Sequence, residues 1–129
     1  MGAGTGTSGA VVEAFASGDA RAFVGRLAPD VTFHSPVRDY HGRERVATVL
    51  AALVQVVSEV RLTRVIDGPE ETVAFFVARG GGAHADGVLR VLAAHDRPAT
   101  ELTLMLRPLE ALLAGIEQMK ALLGRSGRR

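Results

Sequence analysis

The apolar positions change period several times along the chain. Behind Ser8, a candidate N-cap, Val11, Val12, Ala14 and Phe15 recur at helical spacing, and Gly18 closes that helix. Asp19 then caps a short second helix with Ala22, Phe23 and Leu27 as its apolar face, ended by Pro29. The run Val31–Ser35 alternates like a strand and stops at Pro36. Gly42 opens an amphipathic helix over about Arg43–Ser58, with Val46, Val49, Leu50, Leu53, Val54 and Val57 at helical spacing. Strands are expected over about Val60–Asp67, Glu71–Arg79, Ala83–Ala93 and Thr100–Arg107. DGPEE, GGG and HDRP supply the turns between them. Pro108 starts a last helix whose buried stripe is expected to be Leu109, Leu112, Leu113, Ile116, Met119 and Leu123.

Helices set against an antiparallel run of strands make an α+β domain. A long helix has to cover one face of the sheet. If the sheet curls around it, a cone-shaped cavity remains between the two, a common place for a small-molecule site. Residues 8–123 form the expected domain, between a flexible Gly/Thr-rich stretch at 1–7 and a basic tail at 124–129. Gly4 to Gly9 spell a formal GxGxxG, but no strand can precede it, so the dinucleotide reading has no structural context.

Composition narrows the function classes. With 129 residues there is enough chain for one unstapled core. A net charge of +1 gives no electrostatic support for nucleic-acid binding. The absence of cysteine removes disulfides, thiolate metal sites and cysteine nucleophiles. Fourteen of the fifteen basic residues are arginine, a coding bias more than a chemical signal. No basic-then-apolar leader and no run of about 20 apolar residues is present, so a cytoplasmic protein with no membrane partner is expected.

The segments AFASGDARAFVGRLAPDVTFHSP, YHGRERVATVL and TELTLMLRPLEALLAGIEQM together resemble the SnoaL-like branch of the NTF2-like superfamily. That branch includes polyketide cyclases, ketosteroid isomerases and limonene-epoxide-hydrolase-like enzymes. The resemblance implies a cone-shaped fold in which a curved antiparallel sheet wraps a long helix and a further helix follows the last strand. It also implies a two-fold dimer packed through the outer sheet face. Ketosteroid isomerases use a carboxylate base with an oxyanion hole of a tyrosine and a protonated aspartic acid. The resemblance puts the base at Ser35, the aspartic acid at Leu89 and the tyrosine at Val11. A serine hydroxyl cannot abstract a proton unaided, and the other two are hydrocarbon. The epoxide-hydrolase relay also needs an asparagine, and this chain has none.

The remaining polar residues leave a few openings. Tyr40, His34 and His41 are the candidates for relocated catalysis. His34 alternates with Ser35 and should face away from the cavity. Tyr40 and His41 are expected in a loop at the cavity mouth, where Tyr40 could bond a ligand carbonyl or simply cap the core. Arg38 and Asp39 read as solvated loop charges. His84 and Asp86 share a strand face and, with His34 or His41, could imitate a metal site, though nothing in the spacing is specific. Arg79 and Arg90 are long enough to hold a carboxylate but read more simply as surface or interface pairs. One of Phe75 and Phe76 must face inward.

The expected ligand-binding set is Val11, Phe15, Phe33, Ser35, Tyr40, Leu89, Val91, Leu102, Leu104 and Leu106. Such a lining suits a steroid, polyketide, terpene or fatty compound, with no metal and no cofactor implied. Val88, Leu92 and Met105 should point outward, too apolar for a bare sheet face in water, which agrees with the implied homodimer. Two other classes stay open: an enzyme of the same fold with relocated catalysts, and an interaction module whose cavity its own side chains fill.

Overall fold

The computed structural model describes residues 6–127, with side chains through Gly124. Helices α1 (Thr7–Ser17) and α2 (Ala20–Val24) lead into strands β1 (Leu27–His34) and β2 (Asp39–His41). Helix α3 (Arg43–Val56) runs straight into β3 (Val57–Asp67), followed by β4 (Glu71–Gly80), β5 (Ala83–Leu92), β6 (Ala99–Arg107) and α4 (Leu109–Gly127). The six strands form one sheet in the order β2-β1-β6-β5-β4-β3, antiparallel except where β1 meets β6. Register shifts at Ser58/Arg61 and Leu62/Arg64 interrupt β3, and such bulges bend a strand. The α+β class inferred from the hydrophobic pattern is the one observed, with the curved sheet that the resemblance implies.

Several boundaries move for identifiable reasons. Helix α1 starts before Ser8, because the Thr7 N–H donates to the His95 carbonyl at 2.9 Å and Gly6 takes the cap position. Ser8 is instead buried and shares a 2.7 Å hydrogen bond with the Thr72 hydroxyl. Asp19 caps α2 as expected, its carboxylate accepting from the Ala22 N–H. Leu27 belongs to β1, which passes through Pro29. The β1–β6 register skips between Leu27 and Thr32, so the missing proline N–H falls where the ladder is already irregular. Tyr40 and His41 form β2, not a loop, pairing with Phe33 and Thr32. Helix α3 yields to strand at Val57, three residues before the expected start of β3. Gly124–Gly127, expected as frayed tail, continue α4. Residues 1–5 of the expected flexible N-terminus, and with them the start of the GxGxxG run, lie outside the described residues.

The stripe of α4 is also rotated from its expected phase. Leu109 and Leu113 are exposed, while Ala111 and Gly115 are buried and Leu112, Ile116 and Met119 half-buried. The cause is a close approach to the turn after β4. A Cβ on Gly81, which sits at φ +61°, would come within 2.6 Å of the Ala114 carbonyl carbon. Helix and turn fit together only where both are small.

The core lies between the sheet's concave face and helices α1 and α3. Its aromatic centre is Phe15, edge-on to Phe23 at 6.0 Å and to Phe76 at 5.1 Å. Phe76 therefore faces in and Phe75 faces out. The Phe76 ring lies over Gly87, where an added Cβ would meet it at 2.2 Å.

Candidate functional site

A cavity of about 390 Å³ opens at one end of the cone. Its walls come from β1 and β2 (Phe33, Tyr40), the turn between them (Ser35–Arg38), α3 and its junction with β3 (Val49, Leu53, Val56, Val57), β6 (Leu104, Leu106) and α4 (Leu112, Ile116, Met119, Leu123). Phe33 is fully buried and stacks on the Tyr40 ring at 6.2 Å, so this aromatic pair forms part of one wall.

Five of the expected ligand-binding residues line this space: Phe33, Ser35, Tyr40, Leu104 and Leu106. The other five, Val11, Phe15, Leu89, Val91 and Leu102, do not border the cavity and are buried in the core. The strand parity of Leu89, Val91 and Leu102 was read correctly, since they do face inward, but Phe15 of α1 with Phe23 and Phe76 fills the room over them. The contributions of α3 and α4 were missed as cavity lining and read only as buried stripes. The one sequence signal for them was the pairing of a Gly-Gly-Gly turn with the small residues Ala111, Ala114 and Gly115, which sets the phase of α4.

Ser35 borders the cavity, but its hydroxyl is already committed. It donates to the Arg38 carbonyl at 2.7 Å and accepts from the Val37 and Arg38 N–H groups. One donor and two acceptor positions are the whole inventory of a hydroxyl. Ser35 thus locks the turn at the edge of the cavity. Tyr40, by contrast, has no hydrogen-bond partner for its hydroxyl among the described residues.

The strand pleat separates the three catalytic candidates. Tyr40 points to the cavity, while His34 and His41 project from the outer face of the sheet. His41 bonds the Thr32 hydroxyl at 3.1 Å. His34 sits between two carboxylates, 2.8 Å from Asp39 on β2 and 2.7 Å from Glu101 on β6. Its pKa is raised above the usual histidine value, first by the hydrogen bond with Asp39 and then by that with Glu101. With both ring nitrogens bonded to carboxylates, this imidazole has no free lone pair to act as a base. Asp39 is accordingly a strand residue with a partner, not a solvated loop charge.

Other polar candidates resolve into surface pairs. His84 lies 3.4 Å from Asp86, which also accepts from Arg107 at 3.1 Å. Among the described residues no group of three His, Asp or Glu side chains is placed to hold a metal ion. Arg90 pairs with Glu71, and Arg79 donates to the Gly82 carbonyl and stands 3.9 Å from Glu59. On the outer face, Phe75, Val88 and Met105 fall in register across β4, β5 and β6 and form an apolar row, with Met105 62% exposed. No described helix is long and apolar enough to cross a membrane.

Comparison with known proteins agrees with this architecture. An uncharacterised bacterial protein with a cystatin-like fold from Silicibacter pomeroyi DSS-3 is 28% identical over 89% of this chain and 83% of its own, with a TM-score of 0.80. A steroid delta-isomerase from Pseudomonas aeruginosa is 23% identical over 95% and 96% of the two chains, with a TM-score of 0.82. An NTF2-like protein of unknown function from Cytophaga hutchinsonii ATCC 33406 is 14% identical over 80% and 88%, with a TM-score of 0.66. No curated protein matches the sequence. The SnoaL-like domain model matches residues 9–107, most of the chain, and the protein therefore belongs to the SnoaL-like domain family within the NTF2-like fold.

Proposed function

We propose that this protein binds a hydrophobic small molecule, of steroid, polyketide or terpene-like character, in the cavity between α3, α4 and the sheet, without the acids of the familiar isomerases and cyclases. The observation that carries the reading is the cavity itself. At about 390 Å³ it falls within the roughly 300–1,000 Å³ usual for small-molecule sites. Its depth is lined by Val49, Leu53, Val56, Leu104, Leu106 and Ile116, and Tyr40 supplies an uncommitted hydroxyl on the wall. Burial of apolar ligand surface, at about 25 cal/mol per Å², would supply most of the affinity. By the resemblance, Ser35, Val11 and Leu89 stand where the isomerases carry a carboxylate base, a tyrosine and an aspartic acid. Purified protein is accordingly expected to show no 3-oxo-steroid isomerisation above background.

Nile red, a neutral apolar dye, tests the site. Binding with a blue-shifted emission is expected, and Ile116→Trp should weaken it at least tenfold by filling the hollow from α4. The same variant should keep its melting temperature within a few degrees, because the indole enters existing space. Equal dye binding by wild type and Ile116→Trp would sink the proposal. A catalytic reading would have to rest on Tyr40, the one relocated candidate on the cavity wall, and would be supported by a turnover lost in Tyr40→Phe. The apolar row Phe75–Val88–Met105 favours a second copy of the chain as partner on the outer face. Light scattering near twice 13.6 kDa, lowered by Met105→Glu, is the expected result.

A further inference from the structure

The rim of the cavity carries a polarity that its apolar depth does not need. Two of its residues are cationic, Arg38 from the β1–β2 turn and Lys120 from α4, and none of the lining residues is acidic. The Arg38 backbone is fixed by the Ser35 hydroxyl, which bonds both its N–H and its carbonyl. Its guanidinium has no hydrogen bond or ion pair with any described residue. Lys120 has Glu117 at 3.6 Å, but both groups are more than 70% exposed. A surface pair of that kind contributes little and yields readily to a competing anion. The two cations come from separate elements, so a head group between them would be held from two sides of the chain fold.

We infer that the ligand is an amphiphilic acid: an apolar body seated among Leu53, Leu104 and Ile116, with a carboxylate at the mouth. The Arg38 fork would take the carboxylate oxygens and Lys120 would add a compact positive charge. This deepens the reading of the cavity as an apolar ligand site and rests on it. A neutral steroid or terpene would leave both cations without a function, whereas an acid uses them without burying any charge. The head group stays in the partly solvated rim, so no desolvation penalty of a buried ion pair opposes binding.

Two acids of different body shape, decanoate and the ring-fused abietate, are each compared with their methyl esters. Calorimetric titration uses the full chain and ligand concentrations below micelle formation. At low salt at least one acid should bind about tenfold more tightly than its ester, and the gap should narrow at 0.5 M NaCl because exposed charges are screened. Arg38→Gln and Lys120→Gln should each reduce the gap severalfold. The double variant should bring that acid to the affinity of its ester, with the melting temperature unchanged, since both side chains are exposed. Acids that bind no more tightly than their esters, or a gap that survives the double variant, would overturn the inference while leaving the apolar site intact. Failure of all four ligands to bind would overturn both.

Discussion

One sheet builds a solid end and a hollow end. On β6, Leu102 and Leu104 are both buried in the core, but only Leu104 and the half-buried Leu106, two and four residues farther along the same face, border the cavity. The difference comes from the opposite layer. Over Leu89, Val91 and Leu102 lie α1 and the aromatic trio Phe15, Phe23 and Phe76, with Phe76 using the room left by Gly87. Over Leu104 and Leu106 lie α3 and α4, which contribute Leu53, Val56, Ile116 and Met119 and do not fill the gap. Inward-facing residues are therefore of two kinds, and strand parity cannot tell them apart. The positions where the resemblance places an isomerase tyrosine and aspartic acid, Val11 and Leu89, both fall at the solid end. Both are hydrocarbon, and the space beside them is filled by packed side chains.

The strongest test of this contrast is to truncate one side chain at each end. Phe76→Ala removes a ring that is 2% exposed and should cost about 3–5 kcal/mol, as expected for an aromatic deleted from a packed core. Leu106→Ala enlarges a void that already exists beside a half-buried residue and should cost about 1 kcal/mol. Denaturant unfolding measures both. Equal costs would mean that the two ends are packed alike.

A charge placed at the solid end gives a smaller but more specific signature. Leu89 is 1% exposed, so Leu89→Asp puts a carboxyl group into hydrocarbon without a partner. It should stay protonated, with a pKa above the unfolded value of about 4, and cost about 3 kcal/mol at pH 7. A raised folded pKa means that the native state holds the proton more tightly than the unfolded one. The loss is therefore smallest below pH 4 and grows as pH rises toward the folded pKa. Leu89→Asn serves as the uncharged control, and its cost relative to wild type should not change between pH 4.5 and pH 8. If Leu89→Asp tracks Leu89→Asn at both, the site is wet and the solid end is not closed.

Much of the frame was legible because it depends on local pattern. The turn chemistry of DGPEE, the Asp19 cap and the alternation of Phe33 with His34 each follow from one element's own residues. What was not legible depends on two elements at once. Phe75 and Phe76 are chemically identical, and only the register with Gly87 decides which ring turns in. The phase of α4 is set by the contact of Gly81 with Ala114, which displaces Leu109 and Leu113 from the stripe their spacing suggested. Ser35 looked like a free hydroxyl because the turn that consumes it closes only when β2 pairs with β1. The cavity is the extreme case, since a hollow is defined by what neighbouring elements fail to supply.

The smallest predicted effect concerns the outer surface behind the hollow end. There His34 joins the β1–β2 hairpin to β6 through Asp39 and Glu101. Among the described residues no other charged group bonds this imidazole; His41 is bonded to Thr32, and Arg90 on β5 is paired with Glu71. Because its folded pKa is raised, by Asp39 first and Glu101 second, the stabilisation is fully present below the unfolded value of about 6.5. It is lost as pH rises through the folded value, where the imidazolium gives up its proton in both states. The side chain is 34% exposed, so solvent screening should hold the contribution below about 1 kcal/mol. Wild type should melt above His34→Gln at pH 5.5, and the two curves should converge by pH 9. Hydrogen exchange sharpens the comparison between the ends: at pH 5.5 the variant should lose protection at Phe33 and Tyr40, while Leu89 and Val91 keep theirs. Loss of protection spread equally over both ends would show that the hairpin is not an independent wall of the cavity.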